Sequence, residues 1–173
     1  MGHITLRPLQ SADFENAFQW TGDPDVTQSL FWDAHESPNA TQVFLKKVAE
    51  THPWFMAICF AGKPVGAITL DRGSGRGVKR AEMGYVVAKK YWGQGIATQA
   101  IRLCLARGFS DLDVERIEAF VDPENRGSVK VLEKAGLNKD AFLKRYVLHR
   151  GLIRDRFVFS ALRPSENSSV GPK

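Results

Sequence analysis

Two glycines one residue apart, Gly93 and Gly95 in "KKYWGQGIATQA" (residues 89–100), stand between a hydrophobic strand-like run and a stretch with helical spacing. A helix start leaves its first backbone N–H groups without partners. Glycines there remove the Cβ atoms that would hold an anion away, and they permit unusual dihedrals. Together with the positive end of the helix dipole, such a junction suits a phosphate. A plain glycine turn between strand and helix explains the same residues, and on this stretch alone both readings stand. Two other phosphate-binding patterns do not fit: no Gly-Lys-Ser/Thr sequence ends the stretch, and no third glycine is spaced for a dinucleotide fold. "GSGRG" (residues 73–77) holds more glycine, but no helix follows it, so it reads as a hairpin connection.

The elements that must carry this junction follow from periodicity. "HITLRPL" (3–9) alternates as a strand, and Ser11-Ala12-Asp13 starts a helix whose apolar face is Phe14, Ala17 and Phe18. Asp23-Pro24-Asp25 breaks that helix, and residues 37–52 form a second one with a Ser-Pro-Asn start. "WFMAICF" and "VGAITL" read as a hairpin of apolar strands, followed by a strand over 81–87. A helix over 95–108 stops at Gly108, 116–121 is a strand, and 123–136 is a short helix ended by Gly136. Residues 142–162 make two strands around His149-Arg150-Gly151, and the polar segment from 164 to 173 is a disordered tail. The order β-α-α-β-β-β-α-β-α-β-β implies one mixed α/β domain over residues 1–163, since hairpins interrupt the βα units.

Composition narrows the class. With 173 residues, 43% hydrophobic and 25% charged, the chain has the make-up of an ordinary soluble globular protein with one sizeable core. No apolar run approaches bilayer length, and "MGHITLRPLQ" lacks the plan of a secretory signal, so a cytoplasmic protein without membrane contact is the expectation. Cys59 and Cys104 stand alone and read as buried structural thiols, and the four histidines have no ligand-like spacing, so no metal is expected. The net charge of +5 divides unevenly: residues 1–60 carry −4 and residues 61–163 carry +9. That is either ordinary solvated surface or one face for an anion and another for a cation. A basic nucleic-acid module would need base-stacking aromatics at basic spacing, which are missing, so no nucleic-acid partner is expected.

The junction then gains company downstream. Trp92-Gly93-Gln94-Gly95-Ile96-Ala97, written here "YWGQGIAT", together with Asn125-Arg126-Gly127-Ser128 and "VLEKAGL", resembles the two signatures of the GNAT superfamily of N-acetyltransferases. The resemblance spans residues 3–162 and is nearest the RimJ/RimL (ribosomal-protein-alanine acetyltransferase) type; Trp92 departs from the family's usual Gln or Arg. It implies a central, mostly antiparallel twisted sheet with splayed strands and about four flanking helices. It also implies acetyl-CoA as cosubstrate, its pyrophosphate on the amides of Gln94–Thr98 and its pantetheine arm beside Tyr85, Val86 and Val87. By the same resemblance Asn125 hydrogen-bonds the arm and Ser128 lies near the thioester sulfur. An N-cap is the ordinary role of such an Asn, and the two are compatible. Lys89, Lys90, Arg126 and Lys130 are candidates for the 3′-phosphate.

The implied reaction is attack of a neutral amine on a thioester. Glu82, on the face shared with Gly84 and Val86, is the candidate proton acceptor; the competing reading pairs it with Arg80 or Arg116. Ser128 is the candidate acid, with Tyr146 behind it. In the family the acceptor side is built by the first two helices, their connecting loop and the last hairpin. Here that loop holds Asp23, Asp25, Trp32 and Asp33, expected to meet an ammonium-bearing acceptor. The acceptor is a protein or peptide N-terminus or a small polyamine-like amine, and a non-catalytic acyl-CoA sensor is the reading from another class. The resemblance leaves monomer and homodimer both open.

Overall fold

Alternating and continuous apolar runs build seven strands that join one sheet. They are β1 (Ile4–Pro8), β2 (Phe55–Phe60), β3 (Lys63–Arg72), β4 (Arg80–Val87), β5 (Arg116–Val121), β6 (Asn138–His149) and β7 (Leu152–Leu162). The computed structural model describes residues 2–165, so the tail read over 164–173 lies outside the described residues except for its first two positions. The strand order is β1-β2-β3-β4-β5-β7-β6. Every neighbouring pair is antiparallel except β4 and β5, which run parallel over only Arg80↔Arg116, Ala81↔Ile117 and Glu82↔Glu118. Past Glu82 the two strands part, which is the splay that the resemblance implied.

Helices cover both faces. On one face α1 (Phe14–Thr21), α2 (Pro24–Thr27) and α3 (Pro38–Thr51) bury Ala17, Trp20, Val26 and Leu45 against Ala57, Cys59 and Ala67 of β2 and β3. On the other face α4 (Ile96–Asp111) and α5 (Arg126–Ala135) pack Ile101, Cys104 and Leu132 onto Ile68, Leu70, Met83 and Ile117. Period-two alternation in β3 therefore sends Ala67 into one core and Ile68 into the other. Both cysteines are free and buried, and burial pushes the Cys104 thiol up to about 12.

Several boundaries differ from the sequence reading: α5 begins at Arg126 instead of residue 123, and β6 at Asn138 instead of residue 142. The first helix does break before Pro24, ending at Thr21, but a short helix follows at once: the Asp23 carboxylate accepts from Asp25 N (2.9 Å) and starts α2, with Pro24 at the first position where no N–H is needed. Ser11 opens a short 3₁₀ turn instead of capping α1. The local bond there runs from Gln10 N to the buried Asp13 carboxylate (2.9 Å), which also pairs with Arg7 (2.7 Å). Gly108 does not stop α4, which continues to Asp111. It is a packing glycine: a Cβ at this position would run into Leu70 Cδ1 in the core.

That contact predicts the cost of filling the space. Gly108→Ala should destabilise the protein by about 1–3 kcal/mol through overpacking, despite alanine's better helix propensity. Thermal or urea denaturation checks it, and a variant as stable as the parent would show that the helix can lift off Leu70 without penalty.

Candidate active site

The strand–helix junction is shaped by backbone geometry before any side chain matters. β4 ends at Val87, a 3₁₀ turn spans Lys89–Tyr91, and α4 begins at Ile96. Gly93 and Gly95 take φ values of 75° and 76°, the left-handed region in which a Cβ is strained. A Cβ at either position would meet nothing within 4 Å, so the space in front of the loop is open. The first intrahelical bond runs from Gln99 N to Gly95 O, which leaves the N–H groups of Ile96, Ala97 and Thr98 without helical partners. Trp92, half exposed, donates its indole N–H to Val87 O (2.7 Å), and Gln94 Nε2 donates to Lys90 O (3.0 Å). The loop is thus braced from both ends while its amides stay available.

Beside it, β4 from Met83 to Val87 has no strand partner on the β5 side. Tyr85 crosses this gap, its hydroxyl donating to the Ser128 carbonyl of α5 (3.4 Å), and burial raises its pKa to about 12. Asn125 N-caps α5: its Oδ1 accepts from Ser128 N (3.1 Å), while its Nδ2 donates to Ser29 Oγ (3.4 Å). The Ser128 hydroxyl has no hydrogen-bond partner among the described residues. Free backbone donors and an unpaired strand edge lie end to end, which is a fit for a phosphate-bearing group with an amide-containing arm. Of the cations expected near such a group, Lys89 is engaged by Asp25, and Lys90, Arg126 and Lys130 are exposed.

Where β4 and β5 part, a cleft of about 170 Å³ opens between Asp71, Arg80, Glu82, Glu118, Phe120 and Tyr146. Two of the expected chemical residues, Glu82 and Tyr146, therefore line one space. The Tyr146 ring stacks on Phe120 at 5.4 Å and 5°. Glu82 has no hydrogen-bond or ion-pair partner among the described residues, because Arg80 and Arg116 both bind Glu118 (3.0 and 2.8 Å). The reading that paired Glu82 with either arginine is thereby corrected. Enclosure by the cleft walls, then the charges of Asp71 and Glu118, raise the Glu82 pKa above its ordinary value, with Arg80 opposing.

The expected acceptor loop forms a second pocket of about 250 Å³, where Leu30–Asp33 meet Leu148–Arg150 of the last hairpin. Trp32 and Asp33 line it, and Asp33 pairs with Arg150 (2.6 Å). Arg150 also donates to Thr27 O and Trp32 O (3.2 Å each), and His149 Nε2 lies 2.9 Å from Leu30 O. Sequence reasoning did not single out His149 or Arg150 as site residues, and nothing local distinguishes them; only the hairpin's return to the loop does. Asp23 and Asp25 lie off this pocket, one capping α2 and the other bound to Lys89. All three expected acids are already occupied, and two of them pair with cations from the basic part of the chain.

A family model described as "Acetyltransferase (GNAT) domain" matches residues 3–138. The chain belongs to the GNAT acetyltransferase family. It is 28% identical over 169 residues to an uncharacterized N-acetyltransferase, p20, of Bacillus licheniformis, covering 92% of this chain and 93% of that one. Among solved structures it is similar to Mycobacterium smegmatis RimJ in complex with CoA-disulfide, with a TM-score of 0.79 and 25% identity over 92% of this chain and 81% of that one. A spermidine N-acetyltransferase from Vibrio cholerae, in complex with CoA and spermine, shares the GNAT fold at a TM-score of 0.76, 21% identity and coverage of 92% and 95%. Among the described residues no group of His, Cys, Asp or Glu could hold a metal ion, and no helix is long and apolar enough to cross a membrane.

The two left-handed glycines yield a direct test. Gly95→Ala should cost the free GNAT domain about 1–2 kcal/mol of stability from backbone strain and should also reduce the rise in Tm produced by CoA. Undiminished stabilisation of the variant by CoA would show that Gly95 serves the turn alone.

Proposed function

We propose that this GNAT protein transfers the acetyl group of acetyl-CoA to a primary amine, with the N-terminus of a protein or peptide as acceptor. The observation that carries the reading is the fork between β4 and β5, whose unpaired edge leads onto the free amides at the start of α4. In this proposal the amides of Gln94–Thr98 hold the pyrophosphate, and the loop is kept open by Trp92, Gly93 and Gly95. Tyr85, Val86 and Val87 pair with the arm, Asn125 hydrogen-bonds it, and Lys90, Arg126 and Lys130 attract the 3′-phosphate end. Bound acetyl-CoA supplies a thioester carbonyl open to attack.

The chain's own groups then have two proton tasks. Glu82, unpaired and raised in pKa, takes the proton of the attacking amine directly or through a water. Ser128 protonates the departing thiolate, with Tyr146 as the second hydroxyl. An α-amino group titrates at about 7.7–8.0, whereas a lysine titrates at about 10.4, so a carboxylate base suffices for an N-terminal amine. The pocket of Trp32 and Asp33 holds the acceptor beyond its amine, and Asp23 and Asp25 set the shape of the loop that builds it. A small polyamine is the second reading, favoured by the unpaired Glu82 carboxylate with Asp71 beside it in the cleft.

Acetyl-CoA incubated with panels of peptides and polyamines should release free thiol with peptides bearing a free N-terminus. Release with polyamines alone would select the second reading. Stabilisation by CoA without turnover on any acceptor would make the protein a sensor. Glu82→Gln should lower kcat about 10²-fold or more and leave the acetyl-CoA KM unchanged. Because a base must be deprotonated, the parent's rate should rise with pH through the raised Glu82 pKa, and the variant should lose that limb. Asp33→Asn should raise the acceptor KM and leave the acetyl-CoA KM alone; equal effects on both would remove Asp33 from the acceptor site.

A further inference from the structure

Four charged side chains share one face of the short parallel ladder. Period two puts Arg80 and Glu82 on the same face of β4, and the register sets Arg116 and Glu118 beside them on β5. Arginine therefore stands next to arginine and glutamate next to glutamate, an arrangement that like-charge repulsion disfavours. The pairing that resolves it is unequal. Glu118, buried, takes Arg80 across the strands and Arg116 along its own strand. Arg116 continues to Asp140 of β6 (2.7 Å) and Ser160 Oγ of β7 (3.0 Å), and that hydroxyl donates to Asp140 (2.6 Å). The network closes over four strands and leaves Glu82 as the one carboxylate of the four charges with no cation.

We propose that Glu118 is a positioning residue that acts through Glu82: by holding both guanidinium groups it keeps the Glu82 carboxylate unpaired at the mouth of the fork. This rests on the reading of Glu82 as proton acceptor. A carboxylate tied to a guanidinium is a weaker base and offers fewer free lone pairs to an incoming amine. The burial of Glu118 makes the preference physical, since an enclosed carboxylate loses more by being left unpaired than an exposed one does. The charged and titratable groups facing Glu82 are Asp71 of β3, Arg80 of its own strand, Glu118 of β5 and Tyr146 of β6. Asp71 is itself bound to His52 (2.6 Å), so the mobile cation among these neighbours is Arg80.

The test is to titrate the Glu82 side-chain carboxyl by ¹³C NMR in the intact protein. In the parent its midpoint should lie above that of an ordinary glutamate. Glu118→Gln should release Arg80 to Glu82 and lower that midpoint by about 1–3 pH units. In turnover it should lower kcat about tenfold and leave the acetyl-CoA KM unchanged. An unchanged midpoint in folded Glu118→Gln would overturn the proposal. Should that variant fail to fold, exposed Arg80→Gln reads the same arrangement: a guanidinium held by Glu118 should move the Glu82 midpoint by less than about one pH unit when removed. A larger rise would mean that Arg80 pairs with Glu82 after all, and the proposal falls. A fully active Glu82→Gln enzyme would refute the proton-acceptor reading while leaving the titration result intact.

Discussion

The structure turns on how little β4 and β5 pair. β4 is held along seven residue pairs by β3, and β5 along six by β7, yet the two meet over only three. Each is anchored to its outer neighbour, so the sheet is stiff on both sides of the gap and the gap stays open. A parallel pairing needs a long crossover, and here the crossover contains the junction loop and α4, which packs on the sheet face behind the fork. The unpaired edge of β4 must find other partners. Trp92 takes the Val87 carbonyl, and Tyr85 spans to α5, so the opening is braced without being closed.

The two cores divide the work around that opening. The larger one holds α4 and α5 and so fixes the helix start that faces the loop amides. The smaller one seats α1 to α3 on β2 and β3 and carries the loop that runs to the last hairpin. That loop is tied by Arg150 and His149 as well as by Leu30, which packs on the smaller core, and Trp32, whose ring lies 5.4 Å from Phe44, while Phe31 is 72% exposed. Acidic residues of the first third also meet basic residues of the remainder, Asp25 with Lys89 and Asp33 with Arg150. The uneven charge along the chain is thus partly spent on holding these parts together.

What could be read from the sequence was what depends on local period and backbone chemistry. The strands, the main helices, the capping Asn125 and the need for glycine at 93 and 95 all follow from neighbours along the chain. What could not be read depends on partners distant in sequence. Gly108 looks like a helix stop until Leu70 is placed against it. Arg80 and Arg116 stand equally close in register to Glu82 and Glu118, and only the burial of Glu118 decides between them. Tyr146 lies in a bulge of β6 between Leu143 and Val147, where Arg145 takes a φ of 53° and its N–H binds Asp155. Simple alternation does not survive such an insertion, so the stacking of Tyr146 on Phe120 is visible only in three dimensions.

Asn125 shows how closely the two sides of the fork are joined. Its oxygen is fixed by Ser128 N at the start of α5, which fixes the amide group and aims its nitrogen toward Ser29 of the loop after α2. One side chain in the second signature therefore touches both the helix beside the β4 edge and the loop that leads to the hairpin pocket. An Asp there could still cap the helix but would present an acceptor in place of the Nδ2 donor. Capping alone is served equally well by Asn, Asp or Ser, so the Nδ2 donor is what distinguishes Asn at this position.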